Sequence, residues 1–211
     1  MLTPEGYEYT PPAGEDDPSL GELMGELYDN PEMADAEGLI GGEALGDATE
    51  ADPAQCTGLA VDDLTVMDWM FRPAATTATA GYTQLDNDED GLFVMVSTDE
   101  VDPQSFPTEV SECSEFSRMM GDETDNGVQH YSAEPVDVSV EGAEVLGAAR
   151  VTITGAEVNG VAMDGEGIGS SMTTLTATVN GVSFTVAASE STSTDMVSSI
   201  ASAQAQRIAN A

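Results

Sequence analysis

Few residues in this sequence could carry out catalysis. The single histidine is His130, and any serine or cysteine nucleophile that is activated by histidine would have to use it. His130 lies in a segment that we predict to be a β-strand, and we interpret it as structural, with a hydrolase as the alternative. The glycine-rich stretch 160–169 is acidic and lacks the partners that hold phosphates. We therefore predict a binding protein that is not an enzyme and needs no cofactor.

One acidic segment has part of a calcium motif. Asp86, Asp88, Asp90 and Gly91 match positions 1, 3, 5 and 6 of an EF-hand loop. Position 12, which should be a bidentate glutamate, is Ser97. We interpret the segment as a solvated turn that connects two strands, and a calcium site is the alternative.

The chain has two cysteines, Cys56 and Cys113, and no lysine. An even cysteine count in such an acidic chain indicates an oxidising compartment. We predict one disulfide between them, which would stabilise the fold by roughly 4 kcal/mol in the chain-entropy model. Two buried free thiols, or a metal-binding or nucleophilic role, are the alternatives.

The charge of the chain is far from balanced. There are 40 acidic residues against 4 basic residues, for a net charge of −36. Such a chain repels nucleic acids and anionic bilayers at long range, so we predict no nucleic-acid partner. The same charge is typical of proteins that stay soluble in a salty or extracytoplasmic setting. The basic residues are all arginines: Arg72, Arg118, Arg150 and Arg207.

Alternation of apolar and polar residues predicts a β-sheet, which would position the candidate functional residues. Side chains of a strand point to opposite faces in turn, so alternation indicates one wet and one buried face. Asn180 and Gly181 tolerate the positive φ of a two-residue type I′ turn, and Asn159-Gly160 is a second turn candidate. The predicted strands are 136–141, 151–154, 173–179 and 182–187, a strand around 128–131, and a hairpin of 74–85 with 92–98.

Helical spacing of apolar residues predicts four helices. The first begins at Ser19, the second follows Asp52-Pro53 and ends at Gly58, the third spans 107–120, and the last begins near Thr194 and would cover the sheet. The fold class is therefore α+β, with an antiparallel sheet of about six or seven strands packed against helices in one domain over 18–211. Residues 1–17 are predicted to form an acidic, flexible tail.

Several features together resemble a known group of proteins. They are the acidic N-terminal tail, the helix start Asp52-Pro-Ala-Gln-Cys56, the second cysteine within Val110-Ser-Glu-Cys-Ser-Glu-Phe116, the β-rich C-terminal half and an Ala/Ser-rich final helix. This layout over about residues 50–211 resembles small secreted lipoproteins of mycolic-acid-containing actinobacteria, such as the corynebacterial lipomannan-biosynthesis lipoproteins. It is also similar to the extracellular sensor domain of PknH-type kinases.

The resemblance implies a curved antiparallel sheet around helices, with a deep apolar cleft, located outside the plasma membrane. It implies a non-catalytic cell-envelope lipoprotein that binds a lipid or glycophospholipid and supports the assembly of lipoglycans such as lipomannan. Envelope biosynthesis or transport proteins are candidate partners. No run reaches the ~20 apolar residues of a membrane span, so we expect attachment only through a lipid anchor on a leader that precedes this sequence.

Two sets of side chains are candidates for the ligand site. Arginines could hold a phosphate head group, and these are Arg72, Arg118 and Arg150. Large apolar side chains could line the cleft, and these are Trp69, Phe71, Phe93, Phe116, Met119 and Met120. The alternative is a protein-interaction or scaffold module with a solid core, and pocket volume separates the two hypotheses because ligand pockets reach roughly 300 Å³ or more.

Overall fold

The computed structural model of the protein describes residues 6–10, 51–62, 65–66, 76–85, 87–120, 127–163 and 167–211, with only the backbone described at 10, 87–90 and 120. The helix predicted to begin at Ser19 lies outside these residues. Among the described residues, no helix is long and apolar enough to cross a membrane.

The described residues form a large antiparallel sheet and one long α-helix. The strands occur in the order β1-β3-β4-β10-β9-β7-β6-β5-β2, and β8 pairs with β7. Their bounds are β1 Tyr7–Thr10, β2 Ala51–Asp52, β3 Thr77–Gln84, β4 Asn87–Ser97, β5 Phe116–Met120, β6 Gly127–Pro135, β7 Glu144–Val158, β8 Val161–Met163, β9 Ser171–Val179 and β10 Val182–Ser189, followed by α1 Thr194–Ala209.

The predicted α+β class is therefore wrong, although the curved antiparallel sheet is confirmed. The sheet has ten strands instead of six or seven, and α1 is the one long helix in the described part of the chain. Short edge strands account for much of the difference. β1 lies inside the segment 1–17 that was predicted to be a flexible tail, and it pairs with β3 from Tyr7 to Thr10.

The helix predicted over 107–120 is also wrong. A short 3₁₀ helix, Val110–Cys113, is followed directly by β5, which pairs with β6. Apolar residues at 110, 113, 116 and 120 do recur at helical spacing, but pairing with a neighbouring strand overrides this weak local preference.

The strand predicted over 136–141 is not formed, because β6 ends at Pro135 and the next residues leave the sheet. Val138 and Val140 instead pack against the core beside α1, and the backbone N–H of Glu141 donates to Ser202 Oγ at 3.4 Å. The alternation here comes from a segment that has one face on the core and pairs with no strand of the described residues.

Both asparagine–glycine turns are confirmed. Asn180 and Gly181 have φ of 51° and 81°, and they join β9 to β10. Asn159 and Gly160 have φ of 53° and 76°, and they join β7 to β8. Positive φ at both central residues is the geometry that a type I′ hairpin requires.

The predicted hairpin of 74–85 with 92–98 is formed by β3 and β4. Its predicted connection over 86–91 is wrong, because the backbone of Asn87 to Gly91 already belongs to β4. Strand pairing shifts register between Thr83 and Gln84 to accommodate these residues.

The final helix matches its prediction and covers one face of the sheet. Ser193 caps it by accepting a hydrogen bond from the Met196 N–H. Its buried side chains, Val197, Ala201 and Ala205, face β9 and β10, in an apolar cluster that also includes residues of β3 and β4. We call this cluster the helix-covered core; its buried members are Ala80, Tyr82, Leu92, Val94, Leu175, Ala177, Val179, Phe184, Val186, Ala188, Val197, Ala201 and Ala205.

A second cluster lies on the opposite face. Ala148 packs against the helix-covered core, whereas Ala149, the next residue of β7, belongs to this cluster, and neighbouring strand residues face opposite sides. We call it the disulfide-linked core; its buried members are Ala51, Cys56, Leu59, Ala60, Cys113, Phe116, Tyr131, Ala133, Ala149 and Val151.

The predicted disulfide is confirmed, and Cys56 and Cys113 are both fully buried with Cα atoms 5.7 Å apart. Cys56 lies in the 3₁₀ helix Ala54–Leu59, where a short helix was predicted, but Pro53 and not Asp52 is its N-cap. The bond ties this 3₁₀ helix to the one at Val110–Cys113. A disulfide is compatible with an oxidising, extracytoplasmic compartment.

Candidate functional site

A pocket of about 280 Å³ opens on the same face as the disulfide-linked core. It lies where β9 begins beside the end of β10, as the pairing of Ser189 with Met172 shows. Its apolar side is formed by Val61, Val151, Ile153 and Met172, and its polar side by Asp62, Tyr131, Ser170, Ser171, Ser189 and Glu190. The pocket is therefore lined both by apolar side chains and by a set of carboxylates and hydroxyls.

Asp62 forms the buried end of the pocket and is 5% exposed. Its Oδ1 accepts from the backbone N–H of Thr65 at 2.8 Å and from Thr65 Oγ1 at 2.7 Å. The N–H of Val66 donates to the Asp62 carbonyl oxygen at 3.0 Å. Asp62 thus caps a helical turn, which holds its carboxylate in one orientation.

Two further groups reach the other carboxylate oxygen. The Tyr131 hydroxyl donates to Asp62 Oδ2 at 2.8 Å, and the guanidinium of Arg118 forms an ion pair with it at 3.5 Å. Arg118 is 7% exposed and also donates to the Ala60 carbonyl oxygen at 2.8 Å. A charge this deeply buried needs such a partner, because an unpaired charge in the interior is costly.

Tyr131 joins this polar cluster to the apolar core. Its ring stacks on Phe116 with centroids 4.9 Å apart and an interplanar angle of 12°. Burial raises the pKa of Tyr131 well above its ordinary value, and the neighbouring Asp62 carboxylate raises it further. The phenol is therefore neutral at physiological pH and has one proton to donate, for which Asp62 Oδ2 at 2.8 Å and Gln129 Oε1 at 2.6 Å are both within reach.

The rim of the pocket is exposed and rich in hydroxyls. Ser170 donates to the Gly167 carbonyl oxygen at 2.6 Å, and Ser171 Oγ lies 2.8 Å from Thr152 Oγ1. Glu190 is exposed, and its carboxylate has no hydrogen bond or ion pair with any residue in the described ranges. The rim thus has hydroxyls with spare bonding capacity and one unengaged acceptor carboxylate.

The predicted cleft residues are only partly near this pocket. Phe93 is half-buried and packs with Val61 and Met172, which line the pocket. Phe116 lies behind Tyr131, and Met119 is 46% exposed. The side chain of Met120, and Trp69 and Phe71 as a whole, lie outside the described residues.

The described arginines do not line the pocket. Arg118 lies beneath it, engaged with Asp62 and Ala60. Arg150 neighbours Val151 on β7 and so points to the opposite face; its buried Nε has no hydrogen-bond partner among the described residues. Arg72 lies outside the described residues. A head-group role for these arginines stays a prediction.

The calcium motif does not form an EF-hand loop, because the backbone of Asp88 and Asp90 is part of β4. Asp86 is outside the described residues. Within the described part of the chain, no group of three or more His, Cys, Asp or Glu side chains is placed to hold a metal ion.

His130 lies on β6 as predicted, and its Nε2 is 3.5 Å from Glu157 Oε1, with both side chains about 40% exposed (41% and 42%). Ser117 is its register partner on β5, so serine, histidine and carboxylate are neighbours on one face. No hydrogen bond joins Ser117 to His130 within the described residues, and a nucleophile needs that contact with its base. A hydrolase therefore gains no support from this arrangement.

Sequence reasoning missed the pocket residues Asp62, Tyr131, Ser189 and Glu190. One local signal was present, since Asp62 precedes Thr65 at the spacing of a helix cap. Nothing in the sequence indicates that residues 62, 131 and 190 are neighbours, because they come together only through the pairing of distant strands.

The chain was compared with models of known protein families, with curated proteins and with solved structures, and none of the three comparisons finds a match.

Proposed function

We propose that the protein is a non-catalytic, extracytoplasmic domain of the cell envelope that binds a lipid or glycolipid. One observation carries the proposal: a preformed pocket combines an apolar wall with a polar rim, which is how small-molecule sites are generally built. An amphiphilic molecule has the same two halves. Its apolar part would lie on Val151, Ile153 and Met172, and its head group would meet the serines of the rim.

The size of the pocket limits what it can hold. A volume of about 280 Å³ is close to the lower end of ligand pockets. It accommodates a head group and the first carbons of a chain, so most of a long acyl chain would lie outside it.

The wider role follows from the resemblance to envelope lipoproteins. We propose that the domain supports the assembly of lipoglycan or other envelope lipids at the outer face of the plasma membrane, where a lipid anchor holds it. The buried disulfide is compatible with this location. Metabolic labelling with an alkyne-tagged fatty acid in the native host would test the anchor, because an unlabelled mature protein contradicts it.

The binding proposal is tested by native mass spectrometry of the protein purified from an actinobacterial host, followed by organic extraction and lipid analysis. We expect a co-purifying amphiphile. Ser170→Trp should displace it, since Ser170 is an exposed rim residue and the indole would fill the opening. Ser139→Trp is the matched control, because Ser139 is also exposed but does not line the pocket. A clean apo mass, with no uptake of added envelope lipids, would reject the proposal.

The second candidate is a protein-interaction module. It is favoured by the modest pocket volume and by β8, a strand paired on one side with β7 whose Val161 is 64% exposed. Among the described strands, β8 pairs with β7 alone, and a strand edge without a partner can accept a strand from another protein. Two results together would favour this candidate. The protein would take up no lipid, and it would bind an envelope protein whose binding is lost in Val161→Pro.

A further inference from the structure

The polar groups of the pocket differ in how much bonding capacity they have left. Both oxygens of Asp62 are occupied: Oδ1 accepts two hydrogen bonds from Thr65, and Oδ2 accepts from Tyr131 and pairs with Arg118. A carboxylate has about four acceptor sites. The Asp62 carboxylate at the buried end of the pocket is therefore already engaged by Thr65, Tyr131 and Arg118, and its charge is balanced by Arg118.

The rim has the opposite character. Ser171 and Thr152 share one hydrogen bond, so one of the two hydroxyl protons is left to donate to a ligand. Within the described part of the chain, Ser189 Oγ has one long contact of 3.4 Å, with Ser191. The Glu190 carboxylate accepts nothing from the residues of the described ranges. The rim thus offers donors and acceptors side by side.

The electrostatics of the site disfavour anions. No arginine in the described part of the chain lines the pocket, Glu190 stands at its opening, and the chain carries a net charge of −36. A phosphate would meet repulsion there and find no cation to pair with. Among the described residues that line the pocket, a cation would find the single, solvent-screened charge of Glu190, because Asp62 is already paired.

We infer that the rim binds a neutral, hydroxyl-rich head group, such as a single sugar ring or a polyol, and rejects a phosphate. Each hydroxyl of such a group donates and accepts, which matches serines beside a carboxylate, and the carbon face of a ring suits the wall of Val151 and Met172. The inference rests on the proposed ligand-binding function and narrows it to one class of head group.

Three probes share an eight-carbon chain and differ only in their head group: octyl β-glucoside, octyl phosphate and octyltrimethylammonium. Each is titrated into the full chain below its critical micelle concentration, and its affinity is measured by calorimetry. We expect the glucoside to bind about tenfold or more tightly than either charged probe, the equivalent of one good hydrogen bond. Tighter binding of octyl phosphate, or of the ammonium, would overturn the inference but leave the binding function standing. Binding of none of the three would reject both.

Substitutions in the rim locate the binding. Glu190→Gln keeps the size but removes the charge, so we expect weaker glucoside binding, by about threefold to tenfold, together with a gain in octyl phosphate binding. Ser189→Ala should weaken the glucoside alone. The controls are Glu144→Gln and Ser139→Ala, which are exposed and do not line the pocket. Glucoside binding that is equal in the rim variants and the controls would place the ligand elsewhere and overturn the inference.

Discussion

The two faces of the sheet are stabilised in different ways. The helix-covered core is an apolar cluster formed by α1 and residues of four strands, and its buried members are aliphatic or aromatic. The disulfide-linked core also holds a covalent bond, and it borders the buried pair of Arg118 and Asp62. The first depends on area removed from water, at about 25 cal/mol per Å². The second depends on polar groups whose partners come from separate segments, and the pocket lies beside it.

This difference indicates that the two faces of the sheet have different structural roles. Apolar packing tolerates many similar side chains, whereas a buried ion pair is strongly destabilised when one partner is removed. The rigid network of Asp62, Tyr131 and Arg118 therefore fixes the buried end of the pocket, while the helix-covered core holds the central strands in place.

The largest effect is expected from Arg118→Met. This change leaves the Asp62 carboxylate buried without its cation, so we expect a loss of about 3–5 kcal/mol in the free energy of unfolding, measured by urea denaturation. Adding Asp62→Asn should restore part of the loss. The control is Arg207→Met, an exposed change on α1 that should have little effect. A loss equal to that of the control would show that the pair does not stabilise this face.

Leu175→Ala tests the helix-covered core, where Leu175 is fully buried. Truncation should cost about 2–5 kcal/mol, depending on how far α1 collapses onto the cavity. Ligand affinity at the pocket should stay unchanged once the protein is folded, unlike in Arg118→Met. Equal loss of affinity in the two variants would mean that the two faces do not act separately.

Removing the disulfide by Cys56→Ala with Cys113→Ala should cost about 2–4 kcal/mol. Hydrogen exchange shows where the loss falls: we expect faster exchange in the 3₁₀ helix at 54–59 and in β5, with α1 still protected. Uniform acceleration over both faces would contradict the local role of the bond.

Alkaline pH should separate the two faces through their buried tyrosines. Burial raises the pKa of Tyr131, with Asp62 adding to the effect, and burial raises the pKa of Tyr82 despite the opposing charge of Arg207. Above the ordinary value of 10.0, the unfolded chain releases these protons while the folded chain keeps them. The stability that the neutral phenols contribute is therefore present below pH 10 and falls as pH rises, by at most about 1.4 kcal/mol per pH unit for each proton.

The measurement is urea denaturation from pH 8 to pH 11. Tyr131→Phe should flatten the alkaline decline more than Tyr82→Phe does, because Tyr131 is more deeply buried and lies beside a carboxylate. An unchanged slope in Tyr131→Phe would exclude this phenol as its source.

The helix-covered core was accessible to sequence reasoning because its signals are local. Strict alternation predicted the strands that became β9 and β10, Asn180-Gly181 predicted their turn, and helical spacing after Ser193 predicted α1. These elements need only neighbours in sequence to be recognised.

The other face was predicted less well. The run at 107–120 has helical spacing, yet its second half forms β5 because β6 offers it backbone partners. The two cysteines signalled their pairing, since no other thiols were present. The cap spacing of Asp62 and Thr65 indicates only a local turn, and nothing in the sequence indicates that Asp62 pairs with Arg118.

The strand order has a consequence for how the chain assembles during synthesis. β9 and β10 come late in the sequence but lie between β4 and β7. Until they are made, the described strands form two separate partial sheets, β1-β3-β4 and β7-β6-β5-β2 with β8, each with an unpaired edge at β4 or β7. Such edges are templates for aggregation. A nascent chain that ends before residue 171 would consequently expose two unpaired, aggregation-prone strand edges. Both edges become paired when the hairpin of β9 and β10 is added.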